Sequence, residues 1–279
     1  CRFGADSSIL YEQKPHVGTD RLISIVTAMR EEILRLGGEV RFSSRAVDFR
    51  VEEDRLKAVL VERADGTRYE LKTEVLIAAT GHSARDTFRV LSSRGFSMEA
   101  KAFAVGFRVQ HRQKDISLSQ YGEREADFLP PAPYKLAAKT SVGRGVYSFC
   151  MCPGGYVVNA SSEAGGTVVN GMSYADRGSE NANAAIIVSV TPEDFRRYGT
   201  GALAGLAFQE ELEKRAFLAG QGKIPVQLYG NFLSGRESQS FGGIQPCFAG
   251  QYRFSRLNGI LDAPLAKIGG KGLFTKELE

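Results

Sequence analysis

The sequence has 279 residues, of which 43% are hydrophobic and 24% charged, and its formal net charge is +4. This composition is typical of a folded globular protein with one large domain or two smaller ones. Lys and Arg do not form a block with interleaved aromatic residues, and the longest apolar runs, VLIAA and AAIIVSV, are too short to span a bilayer. We therefore expect neither a nucleic-acid-binding protein nor a membrane protein.

The cysteines favour a reducing compartment. A chain of this length with only Cys1, Cys150, Cys152 and Cys247 has no disulfide framework, so we expect a cytoplasmic protein. The three histidines are scattered and no C-x-x-C pair occurs, so we predict no metal ligands. The sequence opens CRFGADSSIL, without Met or a signal segment, which favours a piece of a longer protein.

The first hundred residues carry an α/β pattern. Apolar residues at spacings of three and four predict a helix in GTDRLISIVTAMREEILRLGG, with Thr19 or Asp20 as its cap. EVRFSS follows as a predicted strand, and a β meander comes next. Val75 to Ala79 then loses the polar alternation, which predicts a strand buried on both faces of a parallel sheet beside EVRF.

The predicted buried strand ends at Thr80-Gly81, for which two interpretations exist. Gly81 can simply allow a strand-to-helix turn. Alternatively, a ligand approaches the backbone closely there, because open α/β sheets bind ligands at the carboxyl ends of their strands.

Residues 101–261 predict a second, largely antiparallel region. Short Val-, Tyr- and Gly-rich strands such as KAFAVGFRVQ, GVYSFCMC and AAIIVSV precede two helical stretches, TPEDFRRYG and ALAGLAFQEELEKRAFLAG. The predicted fold class is therefore α/β plus β-rich. Residues 1–100 would form a partial Rossmann-like FAD/NAD(P)-binding domain with an inserted meander, and residues 101–261 a substrate or cap domain.

Specific segments between about Lys14 and Leu261 carry a resemblance, among them KPHVGTDRL, ATGHSARDT, KAFAVGFRVQH, YSFCMCPGGYVVNASSE and FGGIQP. Together they resemble the uncharacterised bacterial FAD-dependent dehydrogenases, also described as NAD(P)/FAD-dependent oxidoreductases. The resemblance implies a flavoprotein that transfers hydride or electrons between FAD and an unknown small-molecule substrate, with NAD(P)H as a possible donor. It also implies that Val47, Ala79, Thr80 and Gly81 line the FAD site, whereas no catalytic residue is assigned.

The sequence departs from that family in two motifs, one of which is the family's closing glycine-rich flavin segment, absent here. The family's G-x-G-x-x-G loop, which holds the FAD pyrophosphate, has no counterpart, because Gly143/Gly145 and Gly220/Gly222 lack the third glycine. We therefore expect this chain alone not to retain FAD.

The C-terminal residues 262–279 are interpreted separately. The segment ILDAPLAKIGGKGLFTKELE resembles an early part of hydroxymethylbilane synthase (porphobilinogen deaminase). We expect this tail to contribute little to the fold. A hydroxymethylbilane synthase fragment is one alternative function, and a non-catalytic β-rich binding module on a flavoprotein-like scaffold is another.

Two further sets of residues are candidates for chemistry. Cys150 and Cys152 would share a strand face and could act beside a flavin, or they could fill space before a Pro-Gly-Gly turn. The polar segment SYADRGSENANAA contains Arg177, Asn181 and Asn183, which either contact flavin or substrate or belong to a solvated loop.

Overall fold

The computed structural model describes residues 1–140, 143–262 and 265. Its α-helices are α1 (Thr19–Arg35), α2 (Arg85–Ser93), α3 (Gln113–Tyr121), α4 (Pro192–Phe195), α5 (Ala204–Gly220) and α6 (Tyr229–Ser234). Short 3-10 turns cover Ser7–Leu10, Glu125–Asp127 and Arg196–Tyr198. None of the described helices is long and apolar enough to cross a bilayer.

The strands fall into four sheets. The first five are β1 (Ser44–Glu52), β2 (Arg55–Arg63), β3 (Arg68–Lys72), β4 (Phe103–Arg112) and β5 (Ala137–Lys139). They are followed by β6 (Gly145–Cys152), β7 (Gly155–Asn159), β8 (Val169–Ser173), β9 (Asn181–Val190), β10 (Ile224–Val226), β11 (Phe248–Ala249) and β12 (Tyr252–Phe254).

The predicted meander forms the antiparallel sheet β1-β2-β3. Phe49, Val59 and Val61 are buried on one face of it, against Val90 and Leu91 of α2. The meander therefore has its own small core, with α2 as its cover.

The main core lies under the antiparallel sheet β4-β9-β6-β5, which confirms the predicted antiparallel second region. Alternate residues of β9, such as Ile186 and Val188, pack with Phe208 and Leu212 of α5. Strand alternation thus places one face of this sheet on α5 and leaves the other face for a second layer. Part of that layer is the sheet β11-β7-β8, and a parallel pair, β10-β12, lies beside α5.

Helix α1 confirms the predicted helix, but its caps act differently. The residue before the helix is Gly18, with φ of 90°. Thr19 donates to the carbonyl of Ser173, and the Asp20 carboxylate accepts from the backbone N–H of Ala175. These side chains therefore fasten the helix start to the end of β8 rather than capping their own helix.

The predicted Rossmann-like sheet is not confirmed in the described residues. EVRF is not a strand, and neither is the run from Val75 to Ala79. Val75 is 76% exposed and Ile77 87% exposed. A continuous apolar run becomes a central strand only when neighbouring strands pair with it and other layers cover it, and the described part of the chain supplies neither.

Another exposed apolar surface is the apolar face of α1. No residue of that helix is buried, and most of its large apolar side chains are exposed, namely Leu22, Ile23, Val26, Met29, Ile33 and Leu34. An apolar helix face of this kind is normally covered by another part of the protein.

The described part of the C-terminal segment is packed into the main core. Asp262 accepts hydrogen bonds from Arg215 and from the Tyr198 hydroxyl, each at 2.9 Å. Leu265 is 3% exposed and belongs to the main core cluster. These contacts disagree with the expectation that residues 262–279 contribute little, although the rest of that segment lies outside the described residues.

Candidate functional site

The residues predicted to line the FAD site lie on two neighbouring elements. Val47 is half-buried in β1, at a register shift between Ala46 and Asp48. Ala79, Thr80 and Gly81 are exposed in the segment between β3 and α2. Gly81 has φ of 73°, and no described atom lies within 4 Å of the place where a Cβ would stand. The backbone of this turn is therefore open to an approaching ligand.

Helix α2 links the two elements. At its end, Arg94 forms an ion pair with Asp48 of β1, and at its start Asp86 lies 3.5 Å from Arg45 of the same strand. The hydrogen bond from Arg94 lowers the pKa of Asp48. Because β1 runs along α2, and the Ala79–Gly81 turn leads into that helix, Val47 and the turn border the same element. Their contact with FAD stays a prediction.

A second site lies on the β-rich region, where Arg108 of β4 crosses to its neighbours. Its Nη1 donates to Asn183 Oδ1 at 2.7 Å and to the Cys150 carbonyl at 3.1 Å. Its Nη2 donates to Asn170 Oδ1 at 3.3 Å. We call Arg108, Cys150, Cys152, Asn170 and Asn183 the arginine centre.

A distortion of β6 builds one side of the arginine centre. The pairing of β6 with β9 is regular as far as Phe149 and Ala185, and then shifts before Cys152 pairs with Asn183. Cys150 lies in this bulge with φ of 48°, a left-handed conformation that non-glycine residues seldom adopt. The expected projection of both thiols to one face therefore fails, because the extra residue breaks the strand alternation. Cys150 is exposed, whereas Cys152 is partly buried beside Arg108.

Gly171 of β8 allows the second layer to approach this centre. A Cβ at that position would overlap Asn183 Oδ1 and Arg108 Nη1, and would lie 2.9 Å from Cys152 Sγ. Close approach of backbone to a polar cluster is a use that glycine alone serves.

The electrostatics of the arginine centre are unusual. Burial lowers the pKa of Arg108. Burial also raises the pKa of the Cys152 thiol, and the nearby charge of Arg108 offsets this only in part. Asn183 is 0% exposed, and its Nδ2, like Nε of Arg108, has no hydrogen-bond partner among the described residues. Buried donors without acceptors are rare in proteins and often mark functional sites.

The remaining candidates have structural roles or lie apart. His16 binds the Tyr174 carbonyl at 2.9 Å, and His82 lies beside Ser83. His111 packs against Tyr134 with the rings tilted and their centroids 5.4 Å apart. Burial lowers the pKa of His111 and raises that of Tyr134 to about 12. Within the described ranges no three metal-ligating side chains come together.

Of the polar segment singled out in the sequence, Asn183 enters the arginine centre and Asn181 does not. Asn181 donates to the Gln245 carbonyl at 2.7 Å and holds a loop. Arg177 lies in a turn with φ of 52°, close to Gly154.

Sequence reasoning missed Arg108 and Asn170. The available signal was an arginine inside the otherwise apolar strand KAFAVGFRVQ.

A glycine pattern close to the dinucleotide-binding spacing also occurs, with Gly199, Gly201 and Ala204 at the start of α5. It follows the 3-10 turn Arg196–Tyr198 rather than a strand. Without the strand-to-helix context this spacing does not indicate a dinucleotide site.

Comparison with known proteins gives one family. Residues 102–275 match the family described as FAD-dependent protein, C-terminal domain-like. An uncharacterised protein of Clostridium beijerinckii is 45% identical over 262 residues, which are 92% of this chain and 48% of the relative. The tetracenomycin B2 monooxygenase-dioxygenase of Streptomyces olivaceus is 34% identical over 94 residues, which are 33% of this chain and 16% of that protein. The chain thus spans about half the length of its Clostridium relative. These matches give no support to the hydroxymethylbilane synthase resemblance.

Proposed function

Because this chain belongs to the FAD-dependent protein, C-terminal domain-like family, we propose that it is part of an FAD-dependent oxidoreductase. The observation that carries this proposal is the family match over residues 102–275, most of the β-rich region. The Streptomyces relative is an oxidoreductase by its name, which supports redox chemistry. A bound flavin would supply that chemistry, accepting and passing on hydride or electrons, while the protein binds, orients and shields the reactants.

The residues present fit contact with a part of FAD. The Ala79–Gly81 turn exposes its backbone, and Gly81 leaves room for close approach. In our proposal this turn and Val47 contact the flavin nucleotide, while the β-rich region shapes the substrate pocket. The FAD pyrophosphate needs the backbone amides of a G-x-G-x-x-G loop, and this sequence contains no such loop.

The exposed apolar surface supports an assembly with further protein. The α1 face and the run Val75–Ile77 are uncovered in the described chain, and the Clostridium relative is about twice as long as the matched part. We propose that this chain is part of a protein about as long as the Clostridium relative, which we call the longer protein. Its additional part would cover this surface and supply the pyrophosphate loop. Burial there would also give Val75 to Ala79 the neighbours that a central strand requires.

The longer protein is the sample that tests this function. After purification it should contain FAD, detected by its absorption spectrum and quantified after heat release. Anaerobic addition of NADH or NADPH should bleach the flavin if NAD(P)H is the electron donor, as we propose. A folded longer protein that takes up no FAD would contradict the proposed function and would favour a non-catalytic binding module.

A further inference from the structure

Arg108 differs from Arg85, Arg144 and Arg215, three buried or partly buried arginines that pair with carboxylates. Arg85 pairs with Glu213 at 2.6 Å, Arg144 with Asp194 at 2.7 Å and Arg215 with Asp262 at 2.9 Å. Arg108 has three neutral oxygens as acceptors, and no carboxylate pairs with it among the described residues. A guanidinium withdrawn from water without an anion is costly, so its retention calls for an explanation.

We propose that the arginine centre binds the carboxylate of an organic acid whose apolar body lies along the adjacent face of the sheet β4-β9-β6. We further propose that this acid is the substrate, and that part of the inference alone rests on the proposed function. Carboxylate binding itself requires no flavin.

The groups around Arg108 do not supply the missing charge. The titratable groups that act on it are, from the strongest to the weakest, Cys152, the exposed Cys150 and Tyr134. Burial raises the pKa of Cys152 above its ordinary value and that of Tyr134 to about 12. Cys152 and Tyr134 are therefore neutral at pH 7 and do not compensate the positive charge.

Arg108 has an N–H group that can donate a hydrogen bond to a ligand. Both N–H groups of Nη1 and one of Nη2 donate to oxygen, and Nε–H is buried without a partner in the described structure. Besides its contact with the Cys152 thiol, Arg108 therefore has the second N–H of Nη2 to donate to a ligand. A carboxylate would accept from this N–H of Nη2 and bring the opposite charge. Asn170 and Cys150, which border Arg108, are exposed, so a ligand reaches Nη2 from that side.

The strand register places apolar side chains beside Arg108, on the face of the sheet that the ligand would contact. Arg108 pairs with Ala185, which pairs with Phe149, so the three side chains form a row on one face. Ala185 is small, and Phe149 is 57% exposed. On the next row of the same face stand Ile187 and Tyr147. An acid held at Arg108 would therefore lie over Ala185 with its apolar body towards Phe149.

Benzoate is the probe, compared with its neutral isostere benzamide and with inorganic phosphate, in calorimetric titrations of the intact chain without flavin. Benzoate should bind saturably, and benzamide and phosphate at least tenfold more weakly. Arg108→Met should weaken benzoate binding at least tenfold, as expected for loss of a charge-assisted pair. The matched control is Arg112→Met, on the same strand and face, where the side chain donates to the Gly243 carbonyl and to no other described residue. It should change binding less than twofold.

Asn170→Asp keeps the test decisive if Arg108→Met does not fold. The new carboxylate would accept from Nη2 at the position of the present amide oxygen, which also accepts from the Gly171 N–H. It should keep the fold, raise the melting temperature and weaken benzoate at least tenfold. Equal binding of benzoate and benzamide, equal binding of phosphate, or unchanged binding by either variant would overturn the inference. Absence of FAD from the longer protein would contradict the proposed function alone.

Discussion

Replacing Arg85 with Met should destabilise the fold more than any other single arginine change on α2. Arg85 is 4% exposed, and its guanidinium donates to Glu213 of α5 at 2.6 Å and to Glu163 at 3.1 Å. Burial acts to lower its pKa, but the two carboxylates more than offset this, so the pKa of Arg85 is raised. The substitution would leave Glu213 largely buried without its cation.

The size of the effect follows from the exposure of each partner. The Glu213 side chain is 17% exposed, so losing its charge-assisted bond costs about 1.5–3 kcal/mol. Glu163 is 39% exposed, and water screens that pair to below about 1 kcal/mol. The total of about 1.5–4 kcal/mol corresponds to a fall in Tm of roughly 3–8 °C, at about 2 °C per kcal/mol for a chain of this size.

The same helix offers a matched control. Arg89 also pairs with a glutamate of α5, Glu210, but its side chain is 51% exposed. Arg89→Met should cost less than about 1 kcal/mol. Urea unfolding followed by circular dichroism, with a double-mutant cycle through Glu213→Gln, measures the coupling. Equal small losses from both arginine variants, or a more stable Arg85→Met, would refute the reasoning.

Three further predictions concern the carboxylates, the C-terminal segment and the cofactor. The hydrogen bonds from Arg144 lower the pKa of Asp194 from its ordinary 3.8, so its stabilising effect is complete above that pH and is lost as the pH falls towards the lowered value. Asp194→Asn should therefore flatten the acid limb of a plot of Tm against pH, and an unchanged limb would disprove this. Truncation after Leu261 should lower the free energy of unfolding by at least about 2 kcal/mol, because it removes the hydrogen bonds of Asp262 and the buried side chain of Leu265. A Tm equal to that of the full chain would instead support a dispensable C-terminal segment. Fluorescence titration of the chain alone should show no sub-micromolar FAD binding, and stoichiometric tight binding would contradict the need for a further pyrophosphate loop.

The sequence predicted elements whose pattern is local. Helix α1, the meander and the antiparallel strands follow from periodicity and turn residues that lie close together in the chain. The buried strand at Val75–Ala79 could not be settled this way. An apolar run indicates that a segment is stable when buried, but the strands and layers that would bury it come from distant parts of the protein.

The arginine centre escaped prediction for a related reason. Arg108, Asn170 and Asn183 are distant in sequence and meet only through the register of β4 with β9 and the approach of β8. The bulge at Cys150 adds a backbone conformation that strand alternation does not predict. Asn183 was singled out from its polar setting between strands, but its partner was not.

The contact between FAD and the Ala79–Gly81 turn is tested most directly by the flavin content of two glycine variants of the longer protein. Gly81 and Gly95 both have positive φ, of 73° and 77°, and at both positions no described atom lies within 4 Å of an added Cβ. Val imposes similar backbone strain at either position, about 1–2 kcal/mol. If the turn contacts FAD, Gly81→Val should lower FAD occupancy severalfold while Gly95→Val retains it, with similar losses of Tm. Full occupancy in Gly81→Val, or equal loss in both, would contradict the account.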